Sequence, residues 1–152
     1  MSTRRVLAPL FLAALLGAFG LVAGTATGAT AASPRVAVVA FAGHAEERQP
    51  PSDAVQPGAT YTSCRVDYLK RLYAFVRFSG MRKGAPTSVA WSFNGSRVYV
   101  DRFKWDEGAR GRTWFYLVRR DGLLDNGVYG VEIRVDGKLV ARASAGLAAA
   151  YC

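Results

Sequence analysis

The stretch at 125–144, DNGVYGVEIRVDGKLVARAS, decides the fold. From Tyr129 onward apolar residues fall at every second position (Tyr129, Val131, Ile133, Val135), with Gly130, Glu132 and Arg134 between them. A period of two is that of a strand with one face buried. Asp136-Gly137 then supplies two residues that tolerate positive φ, as a two-residue hairpin turn requires. A second run, Leu139–Ser144, returns from it. Two registers fit that return. A simple loop sets Ile133 opposite Val140 but Arg142 opposite Val131, whereas a bulge facing Leu139, Ala141 and Ala143 inward keeps apolar against apolar.

Upstream, the same grammar repeats. Short β-branched and aromatic runs at Thr62–Val66, Tyr68–Phe78, Thr87–Phe93, Arg97–Lys104 and Thr113–Arg119 are separated by turn residues, and no helical period occurs. Asn94-Gly95 predicts a hairpin in which Trp91 lies opposite Val98 and Val89 opposite Val100, so that Val98 and Val100 face the core. Tyr99, Asp101, Phe103 and Trp105 then share the opposite, outer face. Residues 36–43 (VAVVAFAG) read as one further strand, and 46–60 (EERQPPSDAVQPGAT) as a polar, Pro-rich loop or linker. The sum is an all-β antiparallel sandwich or barrel of seven or eight strands.

Asp125-x-Gly127-x-Tyr129-x-Val131 resembles the tyrosine corner of immunoglobulin-like domains, and Trp91 stands where such domains place their strand C tryptophan. The resemblance covers roughly residues 62–145 and is nearest to the Ig-like and fibronectin-like modules of bacterial secreted proteins. It implies a Greek-key sandwich in which Trp91 and Tyr129 are structural. Val131 occupies the position of that family's strand F cysteine, so the antibody-type inter-sheet disulfide is missing.

The chain has 152 residues, 51% of them apolar, which suits one domain with a core and excludes a disordered chain. Arg4 and Arg5 precede an apolar run from Val6 to Ala23, and Ala29-Thr30-Ala31 has the small-residue form of a cleavage site. Residues 1–31 therefore read as a secretory signal peptide, with an uncleaved anchor as the alternative. Residues 32–60 follow as an N-terminal strand and linker, and 61–152 as the sandwich domain. The expected location is extracellular, with no membrane span once the signal is removed. Cys64 and Cys152, the two cysteines, are expected to pair in that oxidising compartment, with an inter-chain bond as the alternative.

Catalytic constellations lack parts. His44 is the single histidine and sits in the probable loop, where it reads as a solvated side chain. No nucleophile elbow, metal-ligand spacing or phosphate-binding glycine motif occurs, so neither an enzyme nor a cofactor is expected. The positive balance, 20 Lys+Arg against 11 Asp+Glu, points instead to binding. The expected face has Tyr99, Phe103 and Trp105 at its centre with Trp114 and Tyr116 beside them, rimmed by Arg97, Arg102, Arg110 and Arg112. Aromatics and arginine dominate binding hot spots, so a protein partner is expected there. An acidic cell-envelope polymer or polysaccharide is the alternative ligand, and a purely structural domain the third reading. Export argues against nucleic acid. Cover of the aromatic row by a second sheet, a dimer mate or residues 36–60 is the other reading, and shielding of Trp105 in a monomer would remove the binding face and leave only the structural domain.

Overall fold

A computed structural model describes residues 33–150. Residues 1–31, where a signal peptide is expected, and Cys152 lie outside the described residues. Among the described residues there are eight strands: β1 (Arg35–Ala42), β2 (Thr60–Ser63), β3 (Arg71–Ser79), β4 (Pro86–Phe93), β5 (Ser96–Lys104), β6 (Arg110–Val118), β7 (Gly127–Val135) and β8 (Lys138–Ala149). They form two sheets, one ordered β1-β3-β6 and the other β2-β8-β7-β4-β5. All neighbours are antiparallel except β2, which runs parallel to β8. Only β4–β5 and β7–β8 are hairpins within a sheet; every other connection passes between sheets. This is the expected Ig-like sandwich.

The core follows from alternation. Leu72, Ala74 and Val76 of β3 point in one direction, and Val89, Trp91, Val131, Ile133, Ala145 and Leu147 answer from the other sheet, all buried. Two inner faces interdigitating in this way give a sandwich its dry interior. Phe78, Met81, Ala85, Trp105 and Val135 form a second buried cluster. At the β6–β7 connection the Tyr129 hydroxyl donates to the Asp125 carbonyl at 2.9 Å, the corner bond that the motif implies. Burial raises the Tyr129 pKa above its ordinary value, which keeps that hydroxyl a donor.

Three expectations change. First, β1 pairs with β3 along its length and so belongs to the sandwich. The segment after it is no linker: Phe41 and Val55 exchange two backbone hydrogen bonds of 2.8 Å, which fold the Pro-rich stretch back onto β1. Second, the expected strand Tyr68–Phe78 is interrupted at its start by a 3-10 turn, Val66–Leu69, and β3 begins only at Arg71.

The third change is a register shift with consequences for the site. Asn94 and Gly95 do adopt positive φ, and the pairs Phe93–Ser96 and Ser92–Arg97 form as expected. Then Val98 bulges out, and Trp91 meets Tyr99, Val89 meets Asp101 and Thr87 meets Phe103. One extra residue turns every later side chain to the other face. Tyr99, Asp101, Phe103 and Trp105 therefore look inward, and the expected core residue Val98 is 51% exposed. The Asp136-Gly137 hairpin is also bulged, with Val140 as the extra residue: Ala141 and Ala143 come opposite Ile133 and Val131 as the bulged alternative has it, but Leu139, expected inward, lies opposite Arg134 and is exposed.

Candidate functional site: an open seam between two strand edges

The outer edges of β5 and β6 carry no further strand among the described residues. They belong to different sheets, and the sandwich is left open between them. A cleft of about 480 Å³ there is lined by Trp91, Tyr99, Asp101, Phe115, Leu117 and Val118, among others. An adjoining hollow of about 300 Å³ shares Tyr99, Leu117 and Val118 and extends to Val98, Phe93 and Leu124. Seven large apolar side chains are exposed among the described residues, and four of them, Val98, Tyr99, Tyr116 and Val118, stand on these two edges. Contiguous apolar exposure of this kind marks an interaction site more than scattered single residues do. Asp101 points inward opposite Val89, and a charge aimed inward from an edge strand discourages indiscriminate strand pairing.

The structure divides the sequence-expected residues into three groups. Tyr99 stays at the seam. Phe103 is half-buried between Phe115 and Trp105, at ring-centroid distances of 5.8 and 6.5 Å. Trp105 is only 2% exposed: its ring packs edge-on against Phe78 at 4.6 Å and its indole N–H donates to the Gly108 carbonyl at 2.7 Å. A face centred on Trp105 is therefore ruled out, because the Val98 bulge places that end of the row in the core. Trp114 and Tyr116 sit on the outer face of β6, joined to Tyr73 at 5.3 and 5.6 Å, and the Trp114 indole donates to the Glu47 carbonyl at 2.9 Å. The folded-back Pro-rich segment thus covers Trp114, whereas Tyr116 remains 45% exposed.

The arginines divide likewise. Arg97 and Arg102 are exposed on β5 but do not line the cleft or the adjoining hollow, which Arg120 and Arg119 border instead. Arg110 and Arg112 are exposed at the opposite end of β6 from Tyr116, beside Arg77 and Ser79 of β3.

His44 is not the solvated side chain expected from its loop. It stacks on Tyr68 with ring centroids 4.0 Å apart, and its Nε2 lies 3.7 Å from carboxylate oxygens of both Glu46 and Asp53. Asp53 also accepts the Tyr61 hydroxyl at 2.8 Å. Burial first, then the Asp53 hydrogen bond and charge, push the Tyr61 pKa up to about 12. A phenol held neutral in this way is a hydrogen-bond donor rather than a base. Gly43 lets this loop pass against the Tyr68 backbone carbonyl and the Tyr61 ring, where any Cβ would collide. No local sequence signal marks the cluster, since it exists only because 43–59 folds back. Among the described residues no group of three His, Cys, Asp or Glu side chains could hold a metal ion.

No protein-family model matches the chain, and no curated protein matches it. Several solved structures are similar in part. The alkylpurine DNA glycosylase AlkC of Pseudomonas fluorescens, solved bound to DNA containing an abasic site analog, shares 11% identity over 76% of this chain, with a TM-score of 0.42. This chain spans only 30% of that protein's length. The M1 domain from titin shares 17% identity over 60% of this chain and 84% of its own, with a TM-score of 0.34. A CARDB domain from Pyrococcus furiosus, solved in complex with di-metal ions, shares 12% identity over 78% of this chain and 94% of its own, with a TM-score of 0.38.

Proposed function

We propose that this protein is a secreted, non-catalytic interaction module that contacts a protein partner through the β5–β6 seam. The observation that carries the reading is the concentration of exposed Val98, Tyr99, Tyr116 and Val118 on two facing edges, with Arg97 and Arg102 on the same strand as Tyr99. Apolar and aromatic side chains supply the affinity of such contacts, and rim charges supply steering. Burial of Trp105 removes the face expected from the sequence and, by that criterion, speaks for a structural domain; the seam is a different surface, which draws on strand edges rather than a sheet face. Export follows from the signal segment, and removal of residues 1–31 leaves a chain of net charge +7 (18 basic less 11 acidic residues). An acidic partner suits that balance.

The test is site-specific photo-crosslinking in the exporting cell, with the probe placed at Val98 or Val118. Probes at Val128 and Leu139, which are exposed apolar residues away from the seam, serve as controls. One discrete protein adduct from the seam positions alone, surviving about 0.5 M salt, is the expected result. Adducts equally abundant from the control positions, or none, would refute the seam. Adducts to a polysaccharide that vanish with salt would move the function to the polyanion class.

A further inference from the structure

On the outer face of the three-stranded sheet, the register places Ala37, Arg77 and Arg112 in one row across β1, β3 and β6. The next row is Arg35, Ser79 and Arg110. All four arginines are exposed, and they line one shallow depression of about 500 Å³. Arg77 and Arg112 stand directly opposite each other, a cross-strand placement of like charges that destabilises a sheet. Among the described residues Arg48 pairs with Glu107 at 2.7 Å, Arg119 with Asp125 at 2.9 Å and Arg142 with Glu132 at 2.6 Å, while Arg97, Arg102 and Arg120 are without a carboxylate partner but do not stand in opposed cross-strand rows. Among the described residues no carboxylate lies within ion-pair distance of Arg35, Arg77, Arg110 or Arg112. Arg48 borders Arg77 and Arg112 in the neighbouring hollow and is already taken by Glu107.

We infer that this arginine grid is a binding site for phosphate groups carried in series on one molecule. Strand spacing and rise give the grid a span of about 10 by 7 Å, wide enough for two anionic groups. A phosphate brings up to two negative charges and three acceptor oxygens, so it neutralises two guanidinium forks at once. A single carboxylate neutralises one. The absence of lysine from the grid fits the same chemistry, since the planar fork of arginine grips an oxyanion in two places. Small Ala37 and Ser79 between the arginines leave the backbone approachable. The site lies on a different face from the seam and does not depend on it.

The experiment is calorimetric titration of the mature chain with tripolyphosphate, and separately with orthophosphate, at low salt. The grid double variant R77Q/R112Q is compared with R97Q/R102Q, which removes the same charge from β5. Tripolyphosphate should bind at least about tenfold more tightly than orthophosphate, and R77Q/R112Q should lose about tenfold or more in affinity while R97Q/R102Q stays within about twofold. Binding should fall steeply with salt. Without phosphate, R77Q/R112Q should unfold at the same temperature as the parent or higher, because the opposed charges are gone. Equal losses in the two double variants would mean attraction by net charge alone and overturn the site. Undetectable binding, tripolyphosphate and orthophosphate binding alike, displacement by citrate as effective as by tripolyphosphate, or a phosphate-free R77Q/R112Q that melts lower than the parent would also overturn it.

Discussion

The hairpins β4–β5 and β7–β8 are built the same way and end differently. Each turns on a two-residue Asx-Gly pair at positive φ, Asn94-Gly95 in one and Asp136-Gly137 in the other. Each then inserts one extra valine, Val98 or Val140, into its returning strand. Beyond the bulge β8 gains β2 as an outer neighbour, and Ala145 and Leu147 are buried. β5 gains none, and Val98 and Tyr99 stay about half exposed. Local turn chemistry sets the hairpin, but the presence of a further strand decides whether its edge becomes interior or surface. The seam exists because one of two similar hairpins was left without a neighbour.

The closed edge can be broken first, and there the largest effect is expected. β2 is only four residues long, yet Ser63 lies opposite Ala149 and the Ala150 amide donates to the Ser63 carbonyl at 3.1 Å. Ala149 and Ala150 therefore lie beside the strand that leads into Cys64. If Cys64 bonds Cys152, the closed loop approaches 90 residues, and loop-closure entropy gives about 4–5 kcal/mol. Cys64→Ser should lower stability by that order and speed amide exchange in β8 while leaving β5 unchanged. Non-reducing mass spectrometry that finds two thiols on the mature chain would end this expectation.

The far end of the open hairpin tests whether its inward turn is structural. Trp105 is buried against Phe78 and carries a satisfied indole, so Trp105→Ala should cost about 3–5 kcal/mol in denaturant unfolding. A cost below 1 kcal/mol, the range of surface positions, would contradict the bulged register.

The sequence shows much of the architecture and little of the site, and the reason is register. Strand identity is local: Val89, Trp91, Val131 and Ile133 alternate in the chain as they do in space. So is the turn chemistry of Asn94-Gly95. The bulge at Val98 is not local, because the unbulged register also sets valine against Val89 and Trp91 and offends no rule. At Asp136-Gly137 the sequence leaves both registers open: Arg142 against Val131 speaks for a bulge, but nothing local says that Leu139 ends up on the outer face. Coverage is equally hidden. Nothing in residues 46–60 indicates that they fold back on β1 and cap Trp114. The arginine grid depends on β1, β3 and β6 lying side by side, an adjacency that runs of Val and Phe do not specify.

Tyr129 opens β7, on the closed side, and its corner bond to Asp125 should be worth the usual hydroxyl contribution. Tyr129→Phe is expected to cost about 1–1.5 kcal/mol, read as a lower denaturation midpoint with an unchanged slope. An unmoved midpoint would argue against the corner.

The smallest effect is the sharpest test of the comparison, because one substitution can be made at both bulges. Val98 and Val140 occupy the same place in two like hairpins, and Val→Thr keeps the shape while adding a hydroxyl. At Val140, which packs against both core clusters, that hydroxyl is partly removed from water and should cost about 1 kcal/mol. At Val98 the added group meets solvent, and stability should change by less than about 0.5 kcal/mol. Chemical denaturation of the two single variants beside the parent resolves a difference of this size. Equal costs would mean that the β5 edge is as covered in solution as β8, either by a second copy or by closure of the seam. A monomer with a silent Val98→Thr leaves the edge open, and the exposed valine then has no structural reason to be apolar.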